Sequence, residues 1–296
     1  MRLVLVALLA NLLFAQPELF LVDENNKQVR SVQVDPVEVQ ASFTVPNNPA
    51  FFFVNADRTK YYSVSRAATG TVAVLSAAQP STVLKTLDLA AVTAAAITPD
   101  RTKIVIATAT TLYRIDTATD TVTSAAFLNA PVKELIFSLD GSRLFALTTQ
   151  VVMFNIDPFV VVSSTVLPGP LETMAMNHTG LLYGSAPGRV HEIDGRTGQP
   201  LRTIETLGRP GRLAFSPSSY VALAGNLADT GPSLFRFDLK AAAVTASLTI
   251  PSVRFREVHF LSELRAVALS NQSSTQVPVQ VDPLSTPLVM RGSETF

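Results

Sequence analysis

The sequence predicts an all-β fold assembled from one repeated unit of four short antiparallel strands. Three observations carry that expectation. A polar turn between two apolar runs returns about every 40 residues. An apolar run ending in Asp or Ser follows each such turn by about 17 residues. Val and Ala interleaved with Thr and Ser dominate a chain that is 47% hydrophobic and only 16% charged, which suits half-buried pleated strands better than helices.

At the start, "MRLVLVALLANLLFAQPELF" sets one Arg before an apolar run from Leu3 to Phe14, with Ala15 next. The run is shorter than the roughly 20 residues of a membrane span and matches the apolar part of a secretory signal with a small residue at the cut. Residues 1–15 are therefore expected to be a signal peptide and 16–296 a single domain that is exported, extracellular or periplasmic. A buried first strand or an uncleaved anchor is the alternative.

The polar turns read "VNADRTKYY" from Val54, "ITPDRTKIV" from Ile97, "FSLDGSRLF" from Phe137, "MNHTGLLYG" from Met176, "FSPSSYVAL" from Phe215 and "FLSELRAVA" from Phe260. The strands ending in a turn residue close at Asp23, Ser76, Asp116, Asp157, Asp194, Asp238 and Asp282. At those positions an Asp carboxylate can accept from nearby backbone N–H groups and open a turn, after which an outer strand such as Val122, Ser124 and Ala126 alternates. Each unit thus holds four strands in about 40 residues, the period of a β-propeller blade, whose two faces are covered by neighbouring blades.

Two of the units, "AAITPDRTKIVIATATTLYRIDTATDTVTSA" and "ELIFSLDGSRLFALTTQVVMFNID", resemble the YVTN-type seven-bladed propellers of secreted and surface-layer proteins. The likeness rests on the turns at Pro99-Asp100 and Asp140-Gly141 and on the "ID" steps at Asp116, Asp157 and Asp194. The blades from Thr173 onward lack the "PDG" turn. The resemblance implies an exported seven-bladed propeller.

Seven third-strand signals stand against six first-turn signals, so the chain begins mid-blade with "ELFLVDENNKQVRSVQV". Ring closure is expected to be incomplete at the C-terminus, a further stretch of roughly 25 residues being needed to finish a seventh blade. An open or six-bladed arrangement, or a tail beyond Pro287 that crosses over, are the other readings. "VEVQASFTV" from Val37 alternates like a strand and reads as an extended connection between blades or as an inserted edge strand offered to a partner.

Few features carry chemistry. The chain has no Cys and no Trp, which excludes disulfides, thiolate metal sites and a cysteine nucleophile. His178, His191 and His259 fall in three different blades without metal-ligand spacing, and no metal or cofactor is expected. "YGSAPG" at Tyr183 lacks the spacing of a hydrolase elbow, and "DENN" at Asp23 lacks the Gly and Glu of a calcium hand. Gly198, Gly208 and Gly211 serve turns and not a phosphate loop. The turn aspartates recur in every blade, whereas a catalytic residue needs to appear once, and none is expected. The 23 basic and 23 acidic residues cancel without a basic stripe, so nucleic acid is not a partner. Asn177-His178-Thr179 and Asn271-Gln272-Ser273 are glycosylation sequons if the source modifies secreted proteins.

What breaks the repeat is more informative. Charges before the inner strands converge in propellers from distant parts of the sequence. Here they are Lys133 and Glu134, Glu172, Arg209 and Arg212, and Arg254, Arg256 and Glu257. Their bland role is as solvated loop charges; their functional role is a polar rim that holds a carboxylate-bearing or polar ligand through Arg forks. The expected function is a monomeric, non-enzymatic binding or scaffold module that contacts a protein or glycan. A propeller enzyme of the lactonase or quinoprotein-dehydrogenase type is the alternative. An outer-membrane barrel would want aromatic girdles, and aromatics are only 7% here.

Overall fold

A computed structural model describes residues 3–7, 18–34, 37–66, 69–251, 253–270, 278–284 and 288–293. The cut after Ala15 and the sequon at Asn271 lie outside them. All described regular elements are strands, and they form seven four-stranded antiparallel sheets, the blades of a β-propeller.

The first sheet is β1 (Leu3–Ala7), β2 (Glu18–Asp23), β3 (Gln28–Val34) and β4 (Val37–Thr44), so "VEVQASFT" is a strand paired to β3. The second is β5 (Pro49–Val54), β6 (Lys60–Ser65), β7 (Thr69–Ser76) and β8 (Val83–Ala90); the third is β9 (Ala94–Ile97), β10 (Lys103–Ala107), β11 (Thr111–Asp116) and β12 (Thr121–Phe127). The fourth is β13 (Glu134–Phe137), β14 (Arg143–Leu147), β15 (Val151–Asn155) and β16 (Val160–Thr165); the fifth is β17 (Thr173–Met176), β18 (Leu181–Ala186), β19 (Arg189–Asp194) and β20 (Pro200–Glu205). The sixth is β21 (Ala214–Phe215), β22 (Val221–Gly225), β23 (Leu234–Asp238) and β24 (Ala243–Leu248), and the seventh is β25 (Phe255–Ser262), β26 (Arg265–Ser270), β27 (Pro278–Asp282) and β28 (Val289–Ser293).

Two turns per repeat explain why the sequence repeats. In the first, Asp140 accepts from Ser138 Oγ at 2.6 Å, Ser142 N at 3.0 Å and Ser142 Oγ at 2.8 Å. Asp100 does the same with Thr98 and Thr102, and Asn177 takes over the role through the N–H groups of Thr179 and Leu181. The residue after the acidic position is left-handed: Arg58 (φ 59°), Arg101 (φ 60°), Gly141 (φ 71°), Gly180 (φ 87°) and Ser219 (φ 61°). In the second turn Asp116, Asp194 and Asp238 accept from backbone N–H groups two or three residues on. Four residues beyond the Asp the chain is again left-handed, at Asp120, Gly198 and Ala242. Asp23 and Lys27 (φ 54°) repeat this relation. By that signature β2 and β3 correspond to the third and fourth strands of the later sheets, with β1 and β4 flanking them.

The chain falls into two compact units, Met1–Phe137 with Ile156–Val160, and Ser138–Asn155 with Val161–Phe296. In the first, Phe20, Val22 and Val29 of the first sheet pack on Phe52, Val54 and Leu75 of the second, and Tyr62, Val64 and Val74 pack on Ile104, Ile106 and Ile115 of the third. The Phe20 and Phe52 rings lie 5.3 Å apart, a pairing that adds about 0.5–1.5 kcal/mol beyond its buried area. In the second unit Tyr183, Val190 and Ile204 meet Phe215, Phe235 and Phe237, and Leu223 and Leu234 meet Phe255, Val258 and Val281.

Polar clamps fasten the second, third, fourth and fifth sheets each to the turn of the next. Lys60 Nζ reaches Asp120 Oδ2 at 2.7 Å, and Tyr62 donates to the Thr117 carbonyl at 2.9 Å and to Asp120. Arg114 reaches Asp157 and the Ile156 carbonyl, with Lys103 Nζ 3.1 Å from the same carboxylate. Thr165 Oγ1 donates to the Gly198 carbonyl at 2.7 Å. Glu192 takes Tyr183 Oη at 2.7 Å and Arg202 at 2.9 Å, while Arg202 also reaches the carbonyls of Leu239 and Lys240. Arg114, Glu192 and Arg236 all sit at register shifts two residues from the end of a third strand, and a bulge of this kind re-aims the side chain it carries.

Candidate binding surface

The second unit gathers four connections. Residues 166–172 lead into β17, 206–213 into β21, 249–254 into β25, and 226–233 join β22 to β23. The last is long; the equivalent connections 108–110, 148–150 and 187–188 are short.

Asn226 ties two of them together, 206–213 and 226–233. It is fully buried, and its Oδ1 accepts from Arg209 N and Ala228 N, both at 3.0 Å. Its Nδ2 donates to the Thr230 carbonyl at 3.0 Å and to the Pro232 carbonyl at 2.7 Å. The backbone closes the same joint, Leu227 N donating to Arg209 O at 2.7 Å and Gly211 N to Gly225 O at 2.8 Å. Ser185 Oγ holds the Gly211 carbonyl at 2.8 Å. Ser233 Oγ accepts from Ile250 N at 2.9 Å, which ties the long connection to 249–254. Gly225 permits the approach, since a Cβ there would lie 1.8 Å from the Phe255 carbonyl oxygen.

On this frame Glu172 and Arg209 meet. Arg209 Nε donates to Glu172 Oε1 at 3.1 Å and a terminal nitrogen donates to the same oxygen. Glu172 Oε2 is buried without a protein hydrogen bond, whereas the Arg209 side chain is 49% exposed. The Glu172 hydrogen bond and charge, with Asp229 beyond, hold the Arg209 guanidinium above its ordinary value. Arg254 is consumed differently: it donates to the carbonyls of Ala228 at 2.8 Å, Val253 at 2.7 Å and Asp229. It therefore fixes the backbone on which Asp229 is presented.

Of the eight residues expected at a polar rim, Arg209 and Arg254 are thus tied to 226–233, and Glu172 joins them through Arg209. Arg212 is exposed on the same connection as Arg209. Glu257 lies 3.7 Å from His259 along β25. Arg256 belongs to β25, its side chain outside the described residues. Lys133, exposed, and Glu134, half-buried, stand at the start of β13 in the other unit. For Asn226 and Ser233 the sequence signal is the run "GNLADTGPS", rich in turn residues where other blades have a short link; Ser185, inside "YGSAPG", carries no such mark.

The histidines divide. His191 is buried, its ring nitrogens 3.0 Å from Thr203 Oγ1 and 3.2 Å from the Pro168 carbonyl, and burial pushes its pKa down. His178 is exposed. Asn177, the sequon asparagine beside it, is buried with Oδ1 committed to the turn. Among the described residues no three His, Asp or Glu side chains gather as a metal-holding group, and no helix is long and apolar enough to cross a membrane.

No family model matches the chain, and no curated protein matches it. A solved structure of Kuenenia stuttgartiensis hydrazine synthase is similar to it, with a TM-score of 0.60 and 13% identity over 69% of this chain. The match spans 66% of that chain. At this identity the likeness shows the fold alone, a β-propeller. In all, 1579 solved chains resemble this one, a breadth that leaves function to be argued from the site.

Proposed function

We propose that the protein is a non-enzymatic binding module, exported and acting outside the cytoplasm, which contacts a protein or glycan partner through the connections around Asn226. The carrying observation is the Arg209–Glu172 pair: a half-exposed guanidinium held in place on the hydrogen-bonded frame of Asn226, beside exposed Arg212 and Asp229. Such a surface is pre-organised, so little ordering cost falls on a partner, and an Arg fork recognises carboxylates and other planar acceptors. Support for export is the apolar run Leu3–Phe14 with Ala15 after it. The YVTN-type turns at Asp100 and Asp140 point the same way.

Arrays of acidic glycans and of carboxylate-rich peptides, probed with the wild type and with Arg209→Ala/Arg212→Ala, test this reading. Selective retention by the wild type that the variant loses is expected. Equal retention by both, or hydrolysis of lactones by the purified protein, would replace the reading with another.

A further inference from the structure

The first sheet contains a strand that export with signal cleavage removes. β1 lies antiparallel along β2 in the register Leu3↔Asp23, Val4↔Val22, Leu5↔Leu21, Val6↔Phe20 and Ala7↔Leu19, and also approaches β5. All five of its residues belong to the apolar run of the expected signal. One segment cannot leave with the signal and stay in the sheet.

β2 is no expendable edge. Phe20 and Val22 are fully buried against Phe52, Val54 and Leu75, and the other edge of β2 is taken by β3 in register from Glu18↔Gln33 to Asp23↔Gln28. Removing β1 leaves a row of backbone N–H and C=O groups unpaired beside a packed core. An edge in that state is a template for another strand.

We propose that cleavage after Ala15 turns the β2 edge into an acceptor slot for one extended apolar strand supplied by a partner protein. The inference rests on the export reading above and adds a polypeptide ligand at the first sheet. The strand now seated, Leu-Val-Leu-Val-Ala, states the chemistry of the occupant: five uncharged residues without Pro and with β-branched residues at alternate positions. Main-chain hydrogen bonds supply the affinity of such strand addition, and the alternating side chains supply the selectivity.

The test starts from the full-length chain with a specific protease site placed after Ala15. It is cut while folded and freed of the leader. Amide hydrogen exchange at Leu19–Asp23 is compared before cutting, after cutting, and after adding a lysine-flanked Leu-Val-Leu-Val-Ala peptide. Protection is expected to fall at least about tenfold on cutting and to return with the peptide, while a peptide with Lys and Glu inside the strand restores nothing. Unchanged protection after leader removal, equal rescue by both peptides, or global unfolding that the apolar peptide does not reverse would each overturn the proposal. The intact mass of the exported protein is a separate readout: retention of Leu3–Ala7 in it defeats the cleavage reading, while the protease-cut result still decides whether the slot exists.

Discussion

The side-chain oxygen of Asn226 accepts the backbone N–H of Arg209 at 3.0 Å, which couples the connection carrying the exposed guanidinium to the longest described connection of the sixth sheet. Asn226→Ala leaves two donors and two acceptors of that joint without their partner. Each such loss costs about 1–3 kcal/mol in a buried setting. Allowing for relaxation and water entry, destabilisation by roughly 3 kcal/mol is expected, read as a lower urea midpoint with an unchanged slope. A change under about 0.5 kcal/mol would show that the joint holds without the amide.

The left-handed turn positions predict opposite signs at equivalent places. Arg101 sits at φ 60° and Gly141 at φ 71°. Arg101→Gly removes the Cβ penalty of about 1–2 kcal/mol and returns part of it as chain entropy. A net gain of about 0.5 kcal/mol is expected. Gly141→Ala should lose about 1 kcal/mol. Thermal midpoints of the two variants check the pair.

Gly225→Ala is expected to be far worse than Gly141→Ala. Its new methyl would meet the Phe255 carbonyl at 1.8 Å and the carbonyl carbon at 2.6 Å, both backbone atoms that no rotamer change moves aside. The sixth and seventh sheets must separate locally, at a cost above the roughly 1–3 kcal/mol of ordinary overpacking. Loss of soluble folded protein, or a urea midpoint lowered more than for any other variant here, is the expected result.

Acid should act in two stages. Burial holds the His191 pKa below its usual value, despite the Pro168 carbonyl bond that works the other way. Hydrogen bonds from Ser138 and Ser142 hold Asp140 low; at Asp157 burial opposes, but Lys103 and Arg114 prevail. For a depressed pKa the unfolded chain takes up the proton first as pH falls. The His191 contribution is therefore complete above about pH 6.5, and those of the aspartates above about pH 3.9. Each is lost as pH falls on toward the folded-state value. Urea midpoints followed from neutral pH to about pH 3 should decline gently and then steeply. His191→Gln should remove the first decline, and Asp140→Asn should lessen the second.

Much of this was legible in the sequence where one residue does a local job. "FSLDGSRLF" announces its turn because Asp140, Ser138 and Ser142 bond within five residues, and Asp116 marks a third strand for the same reason. The left-handed sites at Lys27 and Ala242 had no signature, since Lys and Ala are not turn formers by type and the turn is imposed by the Asp four residues earlier. Arg209 and Glu172 could be suspected as breaks in the repeat. Their pairing could not, because it spans 37 positions and depends on Ser185 O taking the Glu172 N–H while Asn226 takes that of Arg209. Nor could the pairing of Leu3–Ala7 with β2 be read from a segment whose composition is that of a leader.

The central claim is that the frame around Asn226 presents Arg209 to a partner. Binding isotherms of the wild type and of Arg209→Ala/Arg212→Ala, for a ligand retained on the arrays and at low and high salt, test it most directly. The variant is expected to remain folded with a slightly lower urea midpoint, to lose at least about tenfold in affinity, and to show a weaker salt dependence. Equal affinity and equal salt dependence in the two proteins would contradict it.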